Sequence, residues 1–174
     1  ARICRSFFLD APCVLLWHHH ALSALATILT ELGWRAPVVS HPLTVTTECA
    51  NTFGPVLPHE PFHAIPFDVY TALVLLSHDY KTDKINLPKA LATTSPYIAM
   101  LGPRVRSEKI FRELEEKNAP ITDEDMKRIY APAGLDIGAL MPEEIALSLL
   151  AEIRAVFSKR MGSFLRLRET TIHE

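Results

Sequence analysis

The sequence predicts a three-layer α/β domain built on a mostly parallel sheet. Three short, continuously apolar runs, Cys13 to Trp17, Ala72 to Leu76 and Tyr97 to Leu101, have the pattern of strands buried on both faces. Segments with apolar residues at helical spacing alternate with them. The first such segment lies between two strand candidates, and a β-α-β unit forces parallel pairing through a right-handed crossover.

Each element has a local reason. Pro12 precedes the first apolar run, so the strand starts at Cys13. Leu22, Leu25, Ile28, Leu29 and Leu32 place one apolar face on a helix over 21–32, and Gly33 stands where a C-cap belongs. Val38 and Val39 make a second short strand. Residues 41–66 carry Pro42, Pro55, Pro58, Pro61 and Pro66 and read as a loop-rich insert, with room for a short strand at Phe62 to Ile65. A helix over 84–93 follows the Ala72 to Leu76 strand, with Pro88 in its first turn or at a kink. Gly102-Pro103 ends the Tyr97 to Leu101 strand, and a helix over 105–117 buries Ile110, Phe111 and Leu114. Thr122 and Asp125 have capping-box spacing and begin another helix. Residues 131–140 are irregular. Pro142-Glu143-Glu144 then opens a helix with the apolar face Ile145, Leu149, Leu150, Ile153, Val156 and Phe157. The expected organisation is one domain over 1–174, with a core at 11–160 and a tail at 161–174.

Composition narrows the function. The chain is 48% hydrophobic and 22% charged, which excludes a disordered tail, a collagen-like fibre and a low-complexity linker. Lys plus Arg number 18 against 20 Asp plus Glu, so no basic field points to nucleic acid. Cys4, Cys13 and Cys49 are too few and too scattered for a disulfide framework or a paired-cysteine zinc site. The longest apolar runs are five residues, far short of the roughly 20 that span a bilayer. With no signal-peptide pattern at residues 1–10, a cytoplasmic protein with reduced thiols is expected.

In open α/β sheets, ligands bind beyond the C-terminal strand ends. Four stretches occupy such positions. Trp17-His18-His19-His20 replaces the glycine-rich turn of a dinucleotide site, and with only 6 glycines in the chain no fingerprint glycine remains there. Ser40-His41 stands where an acid would accept ribose hydroxyls. Both features disfavour NAD(P), which stays an alternative by fold analogy. Ser77-His78-Asp79 pairs an imidazole with a carboxylate, suited to acid–base work, to metal ligation or to capping the next helix. His20, His78 and Asp79 are the candidate metal ligands. In Gly102 to Lys109, Arg104, Arg106 and Lys109 crowd a helix start, against the helix dipole. A bound anion reverses that cost, so this start is a candidate phosphate site; pairing with Glu along the helix is the bland alternative. Gly134 and Gly138 flank Asp136, either fixing one carboxylate in a tight path or making a structural turn.

The run APAGLDIGALMPEEIALSLLAEI, from Ala131 to Ile153, strongly resembles the C-terminal signature of the xanthine dehydrogenase accessory factor (XdhC/CoxI) family. Ser77-His78-Asp79 is similar to that family's Thr-His-Asp, and Tyr97 to Lys109 to its strand, Leu-Gly-Ser-Arg turn and basic helix. The resemblance covers residues 11–160. It implies a Rossmann-like domain of a maturation protein, an accessory factor rather than an enzyme. Such a protein binds molybdenum cofactor (molybdopterin) and passes it to a molybdenum hydroxylase client. A homodimer with no nucleic-acid or membrane partner is expected. By motif match the cofactor-binding residues are His20, His78, Asp79, Gly102, Arg104, Gly134, Asp136 and Gly138, and Arg106 joins them from the basic helix start that suits the cofactor's phosphate. This sequence departs from the family at Trp17-His18-His19 (Gly-Ala-Gly), at Ser40 (Asp) and at Pro103 (Ser). The family's separate N-terminal domain, with its own cysteine motif, has no counterpart here. A degenerate domain kept for dimerisation or docking is a further alternative.

Overall fold

The computed structural model describes residues 13–17, 21–34, 38–40, 57–58, 67–77 and 79–169. The strands are β1 (Cys13–Trp17), β2 (Val38–Ser40), β3 (Leu57–Pro58), β4 (Ala72–Leu76), β5 (Tyr97–Met100) and β6 (Ile129–Tyr130). They form one sheet in the order β3-β2-β1-β4-β5-β6. Every neighbouring pair is parallel. This is the strand order of the doubly wound Rossmann fold, and its reversal falls between β1 and β4. The β1–β4 pairing is in register from Cys13 beside Ala72 to Trp17 beside Leu76.

The helices are α1 (Ala21–Glu31), α2 (Tyr80–Leu91), α3 (Arg104–Glu116), α4 (Asp123–Met126) and α5 (Pro142–Phe157). They form the outer layers. On one face Leu25 and Leu29 of α1 and Leu149, Leu150 and Ile153 of α5 cover Ala72, Val74, Leu76, Tyr97 and Ala99. On the other, Leu87 and Ala90 of α2 and Ile110 and Leu114 of α3 cover Leu73, Leu75, Ile98 and Met100. The side chains of β4 and β5 therefore alternate between two cores, which is why both strands are apolar throughout.

Two expectations need correction. α2 begins at Tyr80 rather than at residue 84, because Asp79 caps it; Pro88 consequently lies deep in the helix, not in its first turn. The helix after Thr122 spans only Asp123–Met126 and yields to β6, a two-residue strand too short to show periodicity. The strand expected at residues 62–65 lies outside the described residues.

At the N-terminal edge of the sheet, Arg128 locks the approach to β5. Its guanidinium donates to the carbonyl oxygens of Leu91, Thr93 (2.7 Å) and Ser95 (3.4 Å), and to Asp125 Oδ1 (2.7 Å). One side chain thus closes the end of α2, the turn after it and α4. Among the described residues no helix is long and apolar enough to cross a membrane.

Candidate functional site

The C-terminal ends of β4 and β5 lie side by side, and each feeds a helix. Past β4 stand Ser77 and Asp79; His78 lies outside the described residues, as do residues 18–20 past β1, His20 included. Asp79 performs the capping role: its Oδ2 accepts from the Thr82 backbone N–H (2.8 Å) and from the Thr82 hydroxyl (2.6 Å). Those Thr82 bonds hold the Asp79 carboxyl below its ordinary range. Tyr80 opens α2 and packs toward α3, where Lys84 pairs with Glu113. Burial first, and the Glu113 carboxylate second, push the Tyr80 phenol up to about 12, so it stays protonated at neutral pH.

Past β5 the chain turns through Gly102 and Pro103 into α3. Gly102 has φ +129°, a conformation that side chains rarely adopt, and the guanidinium of Arg106 lies only 3.3 Å from where its Cβ would stand. The backbone conformation favours glycine here, and a side chain would also press on Arg106. Pro103 caps α3 with no side-chain acceptor, and the first turn holds no acid. The start of α3 is therefore a positive helix end with no acid of its own in the first turn. Arg104, its first residue, is exposed and makes no ion pair among the described residues.

Arg106 behaves differently. Its Nη2 pairs with the carboxylate of Asp83, which reaches across from α2 and is 1% exposed. The Ser77 hydroxyl donates to the other oxygen of the same carboxylate. Arg106 Nε is buried and has no hydrogen-bond acceptor. Met100, Leu101, Gly102, Pro103, Arg106 and Ser107 line a small depression here. Ser77, Asp83 and Arg106 thus tie the end of β4 to the first turn of α3. Asp83 had no visible role in the sequence, because its partner lies 23 residues away and local spacing cannot reveal it.

The third matched stretch leaves the same edge next to β5, where the Ala133 N–H donates to the Met100 carbonyl (3.2 Å). Gly134 follows with φ +113°, and a Cβ there would meet Ser148 Oγ at 2.5 Å. Its N–H donates to Glu152 Oε2 (2.9 Å), which also accepts from the Tyr97 hydroxyl (2.5 Å). Ser148 Oγ donates to the Leu135 carbonyl (2.6 Å), fastening the loop to α5. Tyr130 stacks on Tyr97 with ring centres 4.3 Å apart. Burial, with Glu152 second, raises the Tyr130 phenol. Asp136 stands exposed beyond this anchor, and Gly138 takes φ +73° with open space where a Cβ would be. The signature is therefore largely an anchoring device: Gly134, Ser148 and Glu152 fix the loop that carries Asp136.

The structure brings Gly102, Arg104 and Arg106 together at one turn, with Asp83 and Ser77 behind them. Among the described residues, no group of three or more His, Cys, Asp or Glu side chains could hold a metal ion. Of the proposed ligands only Asp79 is described, and its Oδ2 serves Thr82.

Known proteins share this arrangement of elements. The model of the XdhC Rossmann domain matches residues 14–153. A Bacillus subtilis protein, described as a probable subunit of xanthine dehydrogenase, is 32% identical over 131 residues, 75% of this chain and 36% of that protein. The uncharacterized Escherichia coli protein YqeB is 34% identical over 83 residues, 48% of this chain and 15% of YqeB. A crystal structure described as a xanthine dehydrogenase from Bacillus halodurans superposes with a TM-score of 0.71 at 20% identity, covering 90% of this chain and 45% of that one. The chain thus spans less than half the length of each of these proteins. The parallel 3-2-1-4-5-6 sheet and the glycine-anchored loop after β6 both lie inside the matched span, and the chain belongs to the XdhC Rossmann domain family.

Proposed function

We propose that this chain is the cofactor-handling domain of an accessory protein, which binds molybdenum cofactor by its phosphate and hands it to a xanthine dehydrogenase-type enzyme. The observation that carries this reading is the start of α3: an uncapped helix N-terminus after a parallel strand, with no acid in its first turn and Arg104 exposed beside it. A phosphate fits that chemistry. Pro103 has no N–H, so the backbone donors of Arg104 and Val105 and the positive helix end face the anion, while the Arg104 fork adds a bidentate contact. The glycine at 102 keeps the turn free of a side chain. The descriptions of the Bacillus relatives support the link to a xanthine dehydrogenase. In the recipient enzyme the cofactor supplies the redox chemistry; the residues here bind and orient its phosphate, so binding and release are the whole task.

Titration of the purified chain with molybdopterin tests the reading. Saturable binding is expected, about tenfold weaker in Arg104→Ala, the loss of one charge-assisted contact. Equal affinity in the variant contradicts the site.

A further inference from the structure

Among the described residues, Arg106 is a cation at this site with a buried nitrogen that meets no acceptor. Its guanidinium runs beneath Gly102, with Nη2 on Asp83, Nη1 under the glycine and a buried Nε that no acceptor meets. Asp83 is itself buried and also accepts from the Ser77 hydroxyl. We propose that Asp83 is an internal counterion that competes with the bound phosphate for Arg106, and so sets how tightly the site holds its ligand. Asp83 is a positioning residue here, acting through Arg106. The inference rests on the phosphate reading of the α3 start.

The competition is electrostatic. The Arg106 side chain is 17% exposed, and a guanidinium so far removed from water favours a charge of opposite sign beside it. In the free protein Asp83 supplies it, which holds Arg106 ready under the turn but neutralises it. A phosphate seated at the helix start lies beside the same guanidinium, whose Nε meets no acceptor among the described residues. The two anions then share one cation, and the carboxylate weakens the phosphate. A carrier that must release its cargo needs such a limit on affinity. Asparagine at 83 keeps an acceptor for Nη2 and removes the negative charge, so Arg106 stays placed while its charge becomes available.

The test is calorimetric titration with inorganic pyrophosphate of the wild-type chain, Asp83→Asn, Arg104→Ala and the double variant Asp83→Asn/Arg106→Met. Asp83→Asn is expected to bind about tenfold more tightly than wild type and to gain more in Tm on saturation. The double variant loses that gain. Unchanged or weaker binding in Asp83→Asn, with binding still dependent on Arg104, overturns the inference and leaves the phosphate reading standing. No binding in any variant overturns both. If Asp83→Asn does not fold, the Arg106 Nε–H resonance of the wild type decides: it shifts on saturation with pyrophosphate, and a resonance that stays in place overturns the inference.

Discussion

The two edges of the sheet use arginine in opposite ways. At the N-terminal edge Arg128 spends its donors on three backbone carbonyls and the Asp125 carboxylate. At the C-terminal edge Arg106 has one carboxylate partner and a buried nitrogen without an acceptor, and Arg104 makes no ion pair among the described residues. Among the described residues, Arg128 is fully engaged by the protein where Arg106 is not. A folded chain pairs its buried polar groups where nothing else is asked of them. Donors left over at the strand ends where this fold binds ligands are the ground on which the proposed site rests.

The sharpest way to break this contrast is to exchange the expected consequences. Arg128→Ala is expected to cost about 3 kcal/mol in urea unfolding, because several charge-assisted bonds vanish and the Leu91 and Thr93 carbonyls lose their donor. Its pyrophosphate affinity should match wild type; a weakened affinity would mean that the two edges are not independent. Gly134→Ala comes next, at about 2 kcal/mol, since the new Cβ meets Ser148 Oγ at a φ of +113°. Arg104→Ala should show the reverse profile, binding reduced about tenfold with stability unchanged within about 0.5 kcal/mol. Asp79→Ala removes a helix cap and should cost about 1 kcal/mol.

The smallest effect is one of pH. Arg128, and after it Thr122, hold the Asp125 carboxyl below its ordinary value of 3.8. A carboxylate whose folded value lies below the unfolded one adds stability above about pH 4 and loses it as pH falls through the folded value. Unfolding measured from pH 5 down to pH 2 should therefore show less acid destabilisation in Asp125→Asn than in wild type. Equal slopes would remove Asp125 from the N-terminal clamp.

Much of this was legible in the sequence, and the boundary has a physical basis. β4 and β5 announce themselves because burial on both faces requires unbroken apolar runs, and β1 shows by the same apolar pattern. α5 shows through Pro142, Glu143 and Glu144 at its start and through its apolar stripe. β6 does not show, because two residues carry no period. The cations of α3 were visible, and so was the Glu113 partner of Lys109, but the partners across helices were not. Local spacing offered Lys109 with Glu113 at 4.0 Å, whereas the closer ion pairs run to the neighbouring helix, Lys84 to Glu113 and Arg106 to Asp83. Likewise Gly134 and Asp136 stood out by motif, while the groups that hold their loop, Glu152 and Tyr97, were ordinary members of a helix and a strand until the fold joined them.

Everything proposed for this edge depends on an anion seated at the start of α3. The most direct measurement is the amide NMR spectrum of the chain titrated with inorganic phosphate. Saturable shifts are expected, concentrated at Gly102, Arg104 and Val105, with a midpoint about tenfold higher in Arg104→Ala and with Arg128 and its surroundings unmoved. Shifts that are absent, or that fall elsewhere and keep their midpoint in Arg104→Ala, would contradict the site.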